Sequence, residues 1–208
     1  MELILTLKIT DNIWMIQIPD SKVSQHYAKQ AIQSWESHGF QVNLFDAVTP
    51  KTLHLYDDIQ LDQYHGKRDF TDTEMGCWYS HYLLWEKCVE ERTPITIIEH
   101  DTECLTSDMP IIAPYFSICD FQNNEEFHNY CDRFEGHPYW WHYKLCPITS
   151  GYYIEPEQAE DLLLECVTKR HTRYVDDIMF DKLNKDLNLI ADYCRPIYDT
   201  KVGGTVDH

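Results

Sequence analysis

Ile95-Thr96-Ile97-Ile98-Glu99-His100-Asp101 is the stretch on which the reading of this chain turns. Its first four residues are apolar or β-branched and read as a short buried strand. Glu99 and Asp101 then stand at the carboxyl end of that strand, spaced Glu-x-Asp. Acids so placed can hold a divalent cation. Hard oxygen ligands suit Mg²⁺ or Mn²⁺, which in turn binds a diphosphate. By itself an acid after a strand is more often a solvated turn, so the flanking sequence decides.

Upstream, Ile13-Trp14-Met15-Ile16-Gln17-Ile18 reads as a strand, and Asp20-Ser21 offers a helix cap. The helix predicted over 22–38 carries Tyr27, Ala31, Ile32 and Trp35 on one face and stops at Gly39. Phe40 to Phe45 alternates as a second strand, giving a β-α-β opening that favours parallel pairing. Residues 49–70 are polar and read as a long loop or an insertion. Thr71-Asp72-Thr73-Glu74 has capping-box spacing, and Met75, Trp78, Tyr82, Trp85 and Val89 form one apolar stripe of the helix behind it. Cys77 is expected in the core.

Downstream, Ile111-Ile112-Ala113-Pro114 and Tyr115-Phe116-Ser117-Ile118 are candidate short strands. Gly151-Tyr152-Tyr153-Ile154 reads as a strand, followed by a helix with Pro156 in its first turn. Ala159, Leu162, Leu163, Cys166 and Val167 are its predicted buried face. Val175-Asp176-Asp177-Ile178 opens a further helix with an Asp at its cap. These elements predict an α/β domain over residues 1–200, its opening strands paired in parallel. Residues 201–208 read as a polar tail.

Composition supports one folded domain. Of 208 residues, 43% are hydrophobic, enough to bury a sizeable core. The formal net charge of -18 repels nucleic-acid phosphates and anionic membranes at long range. None of the eight cysteines falls in a Cys-x-x-Cys pair, so metal-finger spacing is absent. The N-terminus lacks the pattern of a secretory signal, and no apolar run is long enough to span a bilayer. These features predict a reducing, cytoplasmic setting with free thiols.

Three segments then line up in order: Phe70 to Trp85, Ile95 to Asp101, and Ser150 through the following helix to Phe180. Together, over roughly residues 12–180, they resemble glycosyltransferase family 25, the lipooligosaccharide-type and collagen galactosyltransferase family. The family's Glu-x-Gly-Cys-x-x-Ser-His-x-x-x-Trp run is matched at Glu74, Gly76, Cys77, Ser80, His81 and Trp85. The tripeptide departs from the family's Glu-Asp-Asp in having His100 at its centre. The family's first strand is followed by arginines; here Ile16 to Lys22 has none, which leaves Lys22 or Lys29 to substitute.

The resemblance implies a GT-A-like fold, a single nucleotide-binding domain over 1–200 with a mixed, mainly parallel central sheet flanked by helices, and transfer of a sugar from a nucleotide-sugar donor, commonly a UDP-hexose, with inversion. It implies Mn²⁺ or Mg²⁺ held by Asp101 and Glu99, and a general base at Asp176 or Asp177. Glu74, Gly76, Ser80, His81 and Glu99 would shape the donor site. The acceptor would be a glycan, a protein side chain or a hydroxymethylated nucleobase. The aromatic stretch Phe134 to Tyr143 is either core packing or an acceptor platform. His100 and the missing arginines keep a second reading open, a catalytically degenerate protein that binds a nucleotide or glycan without turnover.

Overall fold

The computed structural model describes residues 7–9, 11–56, 64–65, 68–69, 71–119, 150–169 and 190–197. Its strands are β1 (Ile13–Gln17), β2 (Val42–Asp46), β3 (Tyr64–His65), β4 (Arg68–Asp69), β5 (Ile95–Glu99), β6 (Thr102–Cys104), β7 (Tyr115–Cys119), β8 (Gly151–Ile154) and β9 (Ile190–Pro196). Seven of them form the central sheet, in the order β2-β1-β5-β8-β7-β9-β6. The β1–β2, β1–β5 and β7–β9 pairs are parallel; β5–β8, β7–β8 and β6–β9 are antiparallel. The sheet is therefore mixed, with its parallel core in β2-β1-β5. Three helices stand among the described residues: α1 (Lys22–Ser37), α2 (Asp72–Glu91) and α3 (Pro156–Lys169).

Strand alternation divides the core in two. Ile95 and Ile97 of β5, Tyr152 and Ile154 of β8, and Ile16 of β1 pack with Met75, Trp78, Tyr82 and Trp85 of α2 and Ala159, Leu162 and Cys166 of α3. Their strand neighbours Ile98, Tyr153, Ile13 and Met15 point the other way, onto Ala28, Ala31 and Trp35 of α1. Successive side chains of a strand face opposite sides, so a sheet covered on both faces needs apolar residues at both parities. The run Ile95–Ile98 meets that demand: all four residues are buried.

Local signals place the helices. Ser21 caps α1, its hydroxyl accepting from the Ser24 amide, and Gly39 takes the left-handed φ of 89° just after the helix. At α2 both halves of the capping box form: the Thr71 hydroxyl accepts from the Glu74 amide, and the Glu74 carboxylate accepts from the Thr71 amide. Two such bonds satisfy two of the amide donors at a helix start. The helix ends at Arg92, which adopts the left-handed conformation at φ 49° without being glycine.

Several expectations need correction. Of the long loop, Leu53–Tyr56 is a short 3-10 helix, and β3 pairs antiparallel with β4. Residues 111–114 carry no strand, and the ladder starts at Tyr115. Val167 is 57% exposed, leaving Ala159, Leu162 and Cys166 as the buried residues of the α3 face. Cys77 lies on the exposed side of α2 rather than in the core. The α2 stripe is also broader than the predicted one, because Tyr79, Ser80, His81, Leu84 and Cys88 are buried with it. Asp176, Asp177 and the aromatic stretch Phe134 to Tyr143 lie outside the described residues.

The β6 edge is held by α1. Ser34 accepts from the Cys104 amide at 3.0 Å and donates to the Cys104 carbonyl at 3.2 Å, while the Trp35 indole donates to the Thr102 carbonyl at 2.8 Å. These bonds occupy backbone groups that an uncovered sheet edge would offer to another chain.

Candidate active site

In open α/β sheets, ligands bind beyond the carboxyl ends of the parallel strands. Here that edge is formed by Gln17, Asp46 and Glu99, the last residues of β1, β2 and β5. Glu99 lies in register with Ile16 of β1, and the Gln17 side chain donates to Asp46 at 3.3 Å. Glu99 is partly buried, as are His100 and Asp101 in the turn that follows. The turn is anchored from the far side of the sheet, where the Ile197 amide donates to the Asp101 carbonyl.

Helix α2 brings its motif residues to this edge in different ways. Gly76 faces the segment after β2: a Cβ there would collide with the Val48 carbonyl oxygen and sit 3.1 Å from the carbonyl carbon. One turn later the buried Ser80 hydroxyl donates to the Gly76 carbonyl at 2.7 Å and accepts from the Val48 amide at 2.9 Å. Gly76 and Ser80 thus act together as a seam that holds the β2 exit against α2. Glu74 serves the helix cap. The structure therefore gives local structural work to three residues expected at the donor site.

His81 stands differently. It is buried, and its Nδ1 lies 2.9 Å from the Tyr152 hydroxyl, which also accepts from the Trp85 indole at 2.9 Å. The His81 and Tyr152 rings stack at 5.8 Å between centroids. Burial lowers the His81 pKa from 6.5 to about 3, so the ring is neutral at pH 7. Burial likewise raises the Tyr152 phenol well above its ordinary value, so it keeps its proton. Two proton arrangements satisfy the 2.9 Å contact. Either the phenol donates to Nδ1 and the imidazole proton sits on Nε2, or Nδ1–H donates to the phenol oxygen and Nε2 presents a lone pair.

Cys77 lies one turn before His81 on α2. One ligand atom each from Cys77, His81 and Glu99 falls within 4.8 Å of the other two, with Cys77 exposed, His81 buried and Glu99 between. Of the expected site residues, the structure thus brings His81 and Glu99 together. It adds Cys77, and Tyr152 from β8. The i, i+4 spacing of Cys77 and His81 places both on one helix face and is legible in the sequence. Tyr152, 71 residues from His81, has no local signal.

A neutral imidazole, a carboxylate and a thiol at the carboxyl edge of parallel strands form a polar site set into an otherwise apolar α/β core. Residues 12–113 match the family model described as glycosyltransferase family 25 (LPS biosynthesis protein). On that match the protein is a glycosyltransferase. The match spans β1, all of α2 and the Glu99–Asp101 turn; β8, α3 and β9 come after it. A search of curated proteins finds no match to the chain. No helix among the described residues is long and apolar enough to cross a membrane.

Proposed function

We propose that the chain transfers a hexose from a UDP-sugar to an acceptor hydroxyl with inversion, assisted by a divalent cation. The observation that carries this reading is the position of Glu99. It ends the central parallel strand, beside the neutral His81, inside the stretch that matches the family. Glu99 and Asp101 offer hard-oxygen donors at this edge, and as partly buried residues they fit Mn²⁺ or Mg²⁺ better than the exposed Asp46. A cation held there would supply positive charge to the departing diphosphate.

The chain's own residues do the rest. Glu99 faces the donor from the strand end, and the Asp101 turn is held in place by its backbone bond to Ile197. The acceptor oxygen bonds to the anomeric carbon as the bond to the diphosphate breaks, which inverts that carbon. A carboxylate takes the acceptor's proton. We assign that base to the pair Asp176 and Asp177. Glycans, protein side chains and hydroxymethylated nucleobases all offer a suitable hydroxyl. The net charge of -18 favours the first two over a DNA acceptor. A reducing, cytoplasmic setting fits this reading.

A thermal-shift panel tests it, with UDP-, GDP-, CMP- and TDP-sugars each in Mn²⁺ or EDTA. At a hundred times Kd, a ligand specific for the native state stabilises by about 2.7 kcal/mol, or roughly 5–11 °C in a domain of this size. The expected result is a shift with a UDP-sugar in Mn²⁺ that is lost in EDTA and lost in Asp101→Ala, whose fold survives. No shift with a UDP-sugar, or an unchanged shift in Asp101→Ala, overturns the assignment.

A further inference from the structure

Cys77, His81 and Glu99 form a three-ligand set of a kind different from the two carboxylates discussed above. Cys77 and His81 are one turn apart on α2, and Glu99 meets them from the end of β5. Their ligand atoms lie within 4.8 Å of one another. We propose that these three residues bind a soft divalent cation of the zinc class, with the fourth coordination position open toward solvent.

The chemistry of the donors selects the ion. Thiolate and imidazole favour Zn²⁺ and its neighbours over Mg²⁺ or Ca²⁺, which take oxygen. Three protein ligands with an open fourth position is the pattern of a reactive rather than a structural zinc site. The burial gradient fits that pattern: His81 forms the floor, Glu99 the wall and Cys77 the rim. Zinc lies about 2.0–2.3 Å from such ligands, so the three atoms must draw together by roughly 1 Å. The rim residue Cys77 and the half-buried Glu99 can turn about their side-chain torsions to do so, while His81 is already fixed.

His81 also has the outer support that metal-bound histidines usually show. The second ring nitrogen of such a histidine donates to an acceptor that sets the ring's orientation and tautomer. Here Nδ1 lies 2.9 Å from the Tyr152 oxygen, which the Trp85 indole holds from another side. With Nδ1 engaged, Nε2 is the nitrogen left to ligate. Binding therefore selects the second of the two proton arrangements, with Nδ1–H donating to Tyr152. The Cys77 thiol gives up its proton on binding.

Among the described residues, Cys88, Cys104 and Cys166 belong to no such set. Burial pushes the Cys88 and Cys166 thiols up to about 12 and Cys104 to about 11. The proposal does not depend on the identity of the sugar donor. It shares only Glu99 with the Mn²⁺ or Mg²⁺ reading.

The test is a Co²⁺ titration of the metal-stripped full-length chain, read by absorbance. Thiolate ligation gives a sulfur-to-cobalt charge-transfer band in the near ultraviolet. The expected result is a band that saturates at one equivalent and is discharged by Zn²⁺ but not by Mg²⁺. Cys77→Ser should remove it. Loss of an outer partner alone costs about 10–100-fold in affinity, so Zn²⁺ binding should weaken by at least about 100-fold when this ligand is lost. Because Cys77 is exposed, that variant should melt as the parent does. Glu99→Gln should keep the band but weaken binding. Absence of a band, or a band that persists in Cys77→Ser, overturns the proposal. Either outcome leaves the UDP-sugar shift in Mn²⁺ to be judged separately.

Discussion

Replacing Gly76 with alanine sets two physical effects of opposite sign against each other. Gly76 is an interior residue of α2, where alanine is intrinsically better by about 1 kcal/mol. If the helix alone mattered, Gly76→Ala would stabilise the protein. The added methyl, however, would meet the Val48 carbonyl oxygen, with the Val48 carbonyl carbon at 3.1 Å and the Thr49 Cα at 3.5 Å. These are backbone atoms and cannot rotate away as a side-chain end would. Val48 is buried, and its amide is tied to Ser80 at 2.9 Å, so the segment cannot shift without giving up that bond. Overpacking of this kind costs about 1–3 kcal/mol, and a backbone collision belongs at the upper end. The net loss is then about 2 kcal/mol, a fall in Tm of roughly 4–8 °C. Urea unfolding at pH 7 measures the free energy directly. A variant as stable as the parent, or more so, would refute the account of Gly76 and Ser80 as a packing seam.

Two further outcomes follow from the buried polar group around Tyr152. Tyr152→Phe removes the oxygen that meets both the Trp85 indole and His81 Nδ1. Each buried polar group left unpaired costs about 1–3 kcal/mol, so chemical denaturation should show a larger loss than tyrosine-to-phenylalanine at an exposed site. His81 makes stability depend on pH in a defined direction. Burial holds its pKa at about 3 in the folded chain, against an ordinary value of 6.5 once unfolded. Between these values the unfolded chain binds the extra proton, so stability falls as pH falls. The stabilisation is fully present above the unfolded-state value, and about 2 kcal/mol of it is lost by pH 5. Urea midpoints of the parent and His81→Gln at pH 7.5 and 5 should diverge accordingly; parallel pH profiles would show that His81 is not the group responsible.

What could be read from the sequence was what short-range geometry writes into it. Thr71 and Glu74 are three residues apart, so their capping box is visible locally, and the structure forms both of its bonds. The β1-α1-β2 opening follows from periodicity and a cap, and Ile95–Ile98 announces a strand buried on both faces. The buried face of α2 is wider than its periodic stripe, because a helix lying between a sheet and a neighbouring helix buries more than one row of side chains. That also explains why Ser80 and His81 are interior, although polar residues usually signal a solvated face. The partners of these residues come from distant parts of the chain. Val48 is 32 residues from Ser80, and Tyr152 is 71 from His81. No propensity or spacing joins such pairs. Nor does any local signal place β8 between β5 and β7, or β9 between β7 and β6. Asp101 is located by the strand ending before it, while the approach of Cys77 and His81 to Glu99 appears only when helix and strand are seen together.

The insertion of β9 between β7 and β6 bears on how the protein is made. Strands β6 and β7 are finished at Cys104 and Cys119, but the strand that joins them begins only at Ile190. At about 5–20 residues per second, a ribosome needs roughly 4–14 s to cover that interval. Throughout it, the β6 segment and one edge of β7 have no partner from this sheet, and the Asp101 carbonyl waits for the Ile197 amide. The Glu99–Asp101 turn is encoded in the first half of the sequence, yet it is locked only after nearly the whole described chain has been synthesised. A nascent chain stalled before Ile190 would expose a sheet edge to its neighbours on a polysome, making synthesis rate and chaperone supply the points at which yield of this enzyme is won or lost.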